Sequence, residues 1–115
     1  MKKIYITDTL DLSLIPRENQ FLNLMRRSPM PCNDPVKYLT DRLQYDPNLV
    51  IESLVFDGNL ADLFSVVLRI PVAMRRVKVR LGIDEVALIG QYEGPKLAFG
   101  ATELPLGAEL SWWLL

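Results

Sequence analysis

The chain contains no histidine, which removes the side chain that titrates nearest neutral pH and serves most often as general acid or base. No Ser/His or Cys/His pair can therefore form, and the sequence carries no phosphate loop, nucleophile elbow or glycine-rich dinucleotide turn. Carboxylates are plentiful: Asp8, Asp57, Asp62, Asp84, Glu85, Glu93, Glu103 and Glu109. None has a spacing that singles out a metal or an acid–base pair, so each reads first as a cap, a turn or a solvated side chain. The single cysteine, Cys32, sits in a proline-rich stretch with no nearby histidine to lower its pKa, so it reads as an inert thiol.

The most informative local feature is a row of cations, Arg76, Lys78 and Arg80, preceded by Arg75. If the row lies on a strand, its members fall on one face at a spacing of roughly 6–7 Å. Two readings follow: a solvated face that protects a sheet edge, or a face turned toward phosphates. The second notable feature is Ser111-Trp112-Trp113-Leu114-Leu115. Consecutive tryptophans on a strand point to opposite faces, so one enters the core and the other needs separate cover. That cover is either a loop of the same chain or a second subunit, where tryptophan is enriched.

The elements that must position these residues can be read from periodicity and punctuation. Lys3–Thr9 is rich in β-branched and aromatic residues and predicts a first strand, with Asp8 near its end. Leu10–Ile15 reads as an apolar loop closed by Pro16, and Phe21–Arg27 as a weaker strand. Asn33-Asp34-Pro35 predicts a helix start, with a capping side chain followed by proline in the first turn. That helix runs to about Gln44 with Val36, Leu39 and Leu43 on one face. Leu49–Phe56 predicts a strand. After Asp57-Gly58, Leu60, Leu63, Phe64, Val67 and Leu68 form the apolar stripe of a second helix, with Asn59 and Asp62 as an approximate capping box and Pro71 as its stop. Met74–Leu81 alternates cleanly and, across Gly82-Ile83-Asp84, predicts a hairpin with Glu85–Gln91. Lys96–Phe99 reads as a short extended piece, and Ala108–Leu115 as a terminal strand.

Two helices among five to six strands predict an α/β domain of α+β type, residues 1–115, with a mixed, mostly antiparallel sheet covered on one side. Half the residues are apolar and 23% are charged, an ordinary globular balance. A net charge of −1 gives no argument for duplex nucleic acid or an anionic membrane. One cysteine excludes an intramolecular disulfide and a four-ligand zinc site. No apolar run approaches the roughly 20 residues of a membrane span, and a cytoplasmic protein without metal or cofactor is expected.

The order of pieces resembles that of the small viral anti-CRISPR ring nucleases. The match runs through Tyr5-Ile6-Thr7-Asp8 in the first strand and Ala61-Asp62-Leu63-Phe64-Ser65 in the second helix. It continues through Val72-Ala73-Met74-Arg75-Arg76 before the basic segment, the turn Gly82-Ile83-Asp84, the loop Tyr92-Glu93-Gly94, and Ala108-Glu109-Leu110-Ser111-Trp112 at the end. The resemblance implies a homodimer that binds cyclic tetra-adenylate between its subunits and cuts it without metal, in the cytoplasm of an infected host cell. It carries the family's pocket asparagine onto Asp8 and its assisting glutamate onto Glu93. The catalytic histidine falls on Asp57 and the assisting arginine on Gly90. An ordinary aspartate has a pKa of about 3.9, far below what a proton donor at neutral pH needs. The expectation is therefore a binder of cyclic oligoadenylate or a related cyclic nucleotide. Asp8, Arg75, Arg76, Lys78 and Arg80 would hold the ligand, and Glu93 and Asp57 are the positions where residual cleavage would arise. Two alternatives remain: a ring nuclease built on other residues, such as Glu93 with Arg76, and a non-catalytic protein-interaction domain.

Overall fold

A computed structural model describes residues 3–9, 29–77, 79, 81, 82 and 84–115. Among these residues there are five strands, β1 (Lys3–Thr7), β2 (Met30–Pro31), β3 (Val50–Leu54), β4 (Glu85–Glu93) and β5 (Glu109–Leu114), and two helices, α1 (Pro35–Tyr45) and α2 (Gly58–Leu68). They form one mixed sheet in the order β2-β5-β4-β1-β3. β1 runs parallel to both β3 and β4, and β5 runs antiparallel to both β4 and β2. Parallel pairing thus takes a larger share than the sequence suggested, because the two helices act as crossovers rather than additions to a string of hairpins.

Both helices lie on one face. Ile4 and Ile6 of β1, Leu88 of β4 and Trp112 of β5 pack there against Leu39 of α1 and Ala61, Phe64 and Leu68 of α2. Phe64 and Trp112 meet with ring centroids 4.7 Å apart at 54°, a tilted arrangement favoured by ring quadrupoles. Gly90, between them, is there for space: a Cβ would stand 2.5 Å from Phe64 Cζ and 2.8 Å from Trp112 Cζ3. The opposite face carries Tyr5, Leu54, Ala87, Ile89 and Leu115 with Leu81, and Val79 and Trp113 pack against them. The tryptophan pair therefore divides as alternation requires. Trp112 is buried under α2, while the half-buried Trp113 lines a cleft of about 270 Å³ with Pro29, Ile89 and Gln91.

α1 begins as expected, with Asp34 accepting from Lys37 N at 3.0 Å and Pro35 in the first turn. α2 begins differently. Its cap is Asp57, in extended conformation, whose Oδ1 accepts from Asn59 N and Leu60 N at 2.8 and 3.2 Å. Asn59 lies inside the first turn, so the expected Asn59/Asp62 capping box does not form there. Helix α2 ends at Arg69, the one described non-glycine residue with positive φ, and Ser65 Oγ then accepts from Val72 N at 2.9 Å.

The expected hairpin of Met74–Leu81 with Glu85–Gln91 is overturned. Among the described residues of that segment only Met74 joins a ladder, through an isolated parallel bridge to Val55, and β4 takes β1 and β5 as partners instead. The alternation of Val77, Val79 and Leu81 reflects a different duty. Leu81 is buried, Val79 half-buried and Val77 exposed, and Val79 and Leu81 pack on the second face. The weak strand expected at Phe21–Arg27 and the loop at Leu10–Ile15 lie outside the described residues. No helix among the described residues is long and apolar enough to cross a membrane.

Candidate functional site

Because β1, β3 and β4 are parallel, their carboxyl ends share one edge of the sheet. In open sheets of this kind, ligands bind in the crevice outside those ends. Here the edge holds an open cleft of about 590 Å³ whose described lining is Phe56, Asp57, Gly58, Asn59 and Arg76. That volume is in the range of small-molecule sites, about 300–1,000 Å³.

The cleft is built by three segments that meet from distant parts of the sequence. Asp8, just past β1, accepts from Phe56 N through Oδ1 at 3.2 Å and from Asp57 N through Oδ2 at 3.1 Å. From the other side, Arg76 Nε donates to Phe56 O at 3.0 Å. The peptide groups around Phe56 are thus gripped by a carboxylate and a guanidinium at once. Asp57 then caps α2, and Asn59 Nδ2 reaches Leu97 O at 3.4 Å. A helix start is often an anion site because its first amides lack partners. In this helix the Asp57 carboxylate has already taken the amides of Asn59 and Leu60.

The neighbouring arginines have opposite fates. Arg75 Nη1 pairs with Glu52 Oε2 at 2.9 Å, and Lys3 Nζ pairs with Glu52 Oε1 at 3.2 Å. The hydrogen bonds from Arg75 and then Lys3 hold the Glu52 carboxyl below its ordinary value. Arg76 has no ion-pair partner among the described residues, and its side chain lines the cleft. Arg75 is therefore a sheet-edge residue and Arg76 a cleft residue. Lys78 and Arg80 lie outside the described residues.

Of the residues the sequence nominated, the structure brings together Asp8, Asp57 and Arg76. Glu93 does not line the cleft; it ends β4, exposed and directly across the ladder from Glu109. Asp57 is committed as an acceptor to two backbone amides, a role opposite to that of a proton donor. Gly90 faces the core between Phe64 and Trp112, so no guanidinium at that position could reach the cleft without displacing the aromatic pair. Cys32 is half-buried, and burial pushes its thiol up, in keeping with an unreactive side chain. Among the described residues no group of three or more metal-ligating side chains gathers. Sequence reasoning missed Phe56 and Asn59. The signal was present as a strand that stops at an Asp-Gly pair just before an apolar helical stripe.

Compared with known protein families and with curated proteins, the sequence finds no match.

Proposed function

We propose that the protein binds a cyclic oligonucleotide at the carboxyl-edge cleft and releases it uncut, acting as a sponge for a signalling nucleotide in host–virus conflict. The observation that carries this reading is Arg76. It is tethered through Nε, has no ion-pair partner among the described residues and lines a cleft of ligand size. A guanidinium fixed in this way keeps its terminal N–H groups for a phosphate, which it matches in charge and in fork geometry. The resemblance of its motif order to that of the ring nucleases points to the nucleotide class. Binding without cleavage follows from the absence of histidine, the capping role of Asp57 and the core position of Gly90.

The same reading makes the protein a homodimer, with two clefts sharing one ring. Its two sheet edges are poor docking strands, so association would use faces or loops. At β2, Cys32 N donates to Trp112 O at 2.8 Å, which leaves Pro31, without an N–H, facing outward. At β3, Arg75 N donates to Val55 O at 2.8 Å and Ser53 Oγ donates to Ala73 O, so residues 73–75 cover the carboxyl end of that edge.

A second reading, a protein-interaction domain, rests on the loop between β4 and β5, where Phe99 is 95% and Leu106 100% exposed. Calorimetry against cyclic di-, tri-, tetra- and hexa-adenylate, followed by chromatography of the denatured mixture, separates the readings. Sub-millimolar binding with the ring recovered intact is expected. Rapid metal-independent cleavage would make the protein a nuclease, and no binding to any ring would leave the interaction domain.

A further inference from the structure

Taking the cleft as a phosphate site, as proposed above, we infer that Phe56 is its ring-binding platform, so that the cleft selects a phosphate carried on a planar base over a bare sugar phosphate. Phe56 belongs to neither core cluster, is 36% exposed and lines the cleft beside Arg76. An aromatic residue left outside a core is usually held only by its neighbours in sequence. This one has its N–H bound by Asp8 and its carbonyl by Arg76, across sequence separations of 48 and 20 residues. Such double tethering fixes the main chain that carries the ring, which lowers the ordering cost of binding.

The surroundings suit a flat ring. Met74, 51% exposed, brings its Sδ to within 3.6 Å of where a Cβ on the cleft residue Gly58 would stand. A polarisable thioether next to Gly58 adapts readily to planar groups. Arg76 is bonded to the carbonyl of Phe56 itself, so cation and ring sit within one residue's reach of each other. A base with its own phosphate spans that kind of distance, whereas a bare anion would use the arginine alone. Stacking on an aromatic side chain tolerates any base, so the platform sets the ligand class without choosing the base.

The test uses a minimal pair, adenosine 5′-monophosphate and ribose 5-phosphate, which differ only by the base. Both are titrated at up to millimolar concentration into the wild-type protein and into Phe56→Ala, Phe56→Leu and Phe56→Tyr, with thermal melts to verify folding. Wild type and Phe56→Tyr should bind the nucleotide on the order of ten-fold or more tighter than the sugar phosphate. Phe56→Leu, which keeps apolar bulk without a ring, and Phe56→Ala should bind the two equally. Equal binding of both compounds by wild type, or nucleotide affinity unchanged in folded Phe56→Ala, would overturn the platform while the cyclic rings still bind. Failure of wild type to bind the mononucleotide would overturn it too. Failure of the cyclic rings in calorimetry is a separate result and counts against the site itself.

Discussion

The helix-covered face of the sheet and its carboxyl edge are built from different materials. On the face, Phe64, Ile4, Leu88 and Trp112 interlock at full burial or close to it, and Gly90 exists to let two rings approach. At the edge, Asp8, Phe56, Asp57 and Arg76 meet through side-chain-to-backbone hydrogen bonds around an open cleft. The face is held by shape and apolar burial, the edge by directed polar contacts on an already folded frame. Damage to the face should unfold the chain, and damage to the edge should alter binding while the chain stays folded.

Phe64→Ala should have the largest effect. Phe64 is fully buried, and removing such a ring typically costs about 3–5 kcal/mol through lost burial and the cavity left behind. Urea denaturation should show a large fall in midpoint with the slope retained. A loss below about 1 kcal/mol would mean that the face is not the centre of stability that its packing indicates.

Asp57 separates the two regions within one residue. Asp57→Ala removes the cap of α2 and should cost about 0.5–2 kcal/mol. Asp57→Asn keeps an equally good cap while taking one negative charge from the cleft. The asparagine variant should therefore melt near wild type and bind a phosphate-bearing ring several-fold more tightly, because like-charge repulsion is gone. Weaker binding in folded Asp57→Asn would imply that the carboxylate itself contacts the ligand.

How far these two regions were legible in the sequence follows from how they are built. The face was legible because its residues repeat. Leu60, Leu63, Phe64, Val67 and Leu68 mark one side of a helix, and Trp112-Trp113 divides by alternation. Asp34-Pro35 marked the start of α1 by cap chemistry. The alternation of Val77, Val79 and Leu81 misled, because period two records which side chains turn inward and says nothing about which strand, if any, lies alongside. The parallel partner of β4 is β1, some eighty residues earlier, with Ile4 opposite Val86, and no local pattern announces it. The edge was half legible. Arg76 stood out in the row of cations, whereas Asp8 and Asp57 were singled out only by the family resemblance. That they share one peptide as their meeting point depends on the strand order, and so Phe56 went unnoticed. Arg75 and Arg76 were both expected to hold the ligand, and the positions of Glu52 on β3 and of the Phe56 carbonyl separate them.

The smallest expected effect concerns that separation at the sheet edge. Glu52 is held below its ordinary value near 4.5 by Arg75 and Lys3. A carboxyl depressed in the folded state contributes stability that is present above its unfolded pKa and is lost as pH falls through the folded value. The window therefore lies at and below about pH 4.5, and the contribution is modest because the pair is exposed. A carbon-detected NMR titration should show the Glu52 midpoint moving up toward its ordinary value in Arg75→Ala and staying put in Arg76→Ala. A shift of equal size in both variants would remove the distinction between the two arginines.

Under the proposed function Arg76 serves a ligand and Arg75 serves the fold, a division that calorimetry on the two alanine variants measures. Wild type, Arg75→Ala and Arg76→Ala are titrated side by side with the cyclic oligoadenylate that wild type binds best, at two salt concentrations. Loss of one charged hydrogen bond is worth about 1.5–3 kcal/mol, so Arg76→Ala should bind roughly 10- to 150-fold more weakly and lose part of the salt dependence. Arg75→Ala should stay within about three-fold of wild type, since exposed ion pairs at the sheet edge contribute little. Equal affinity in wild type and a folded Arg76→Ala, or an equal loss in both variants, would contradict the account.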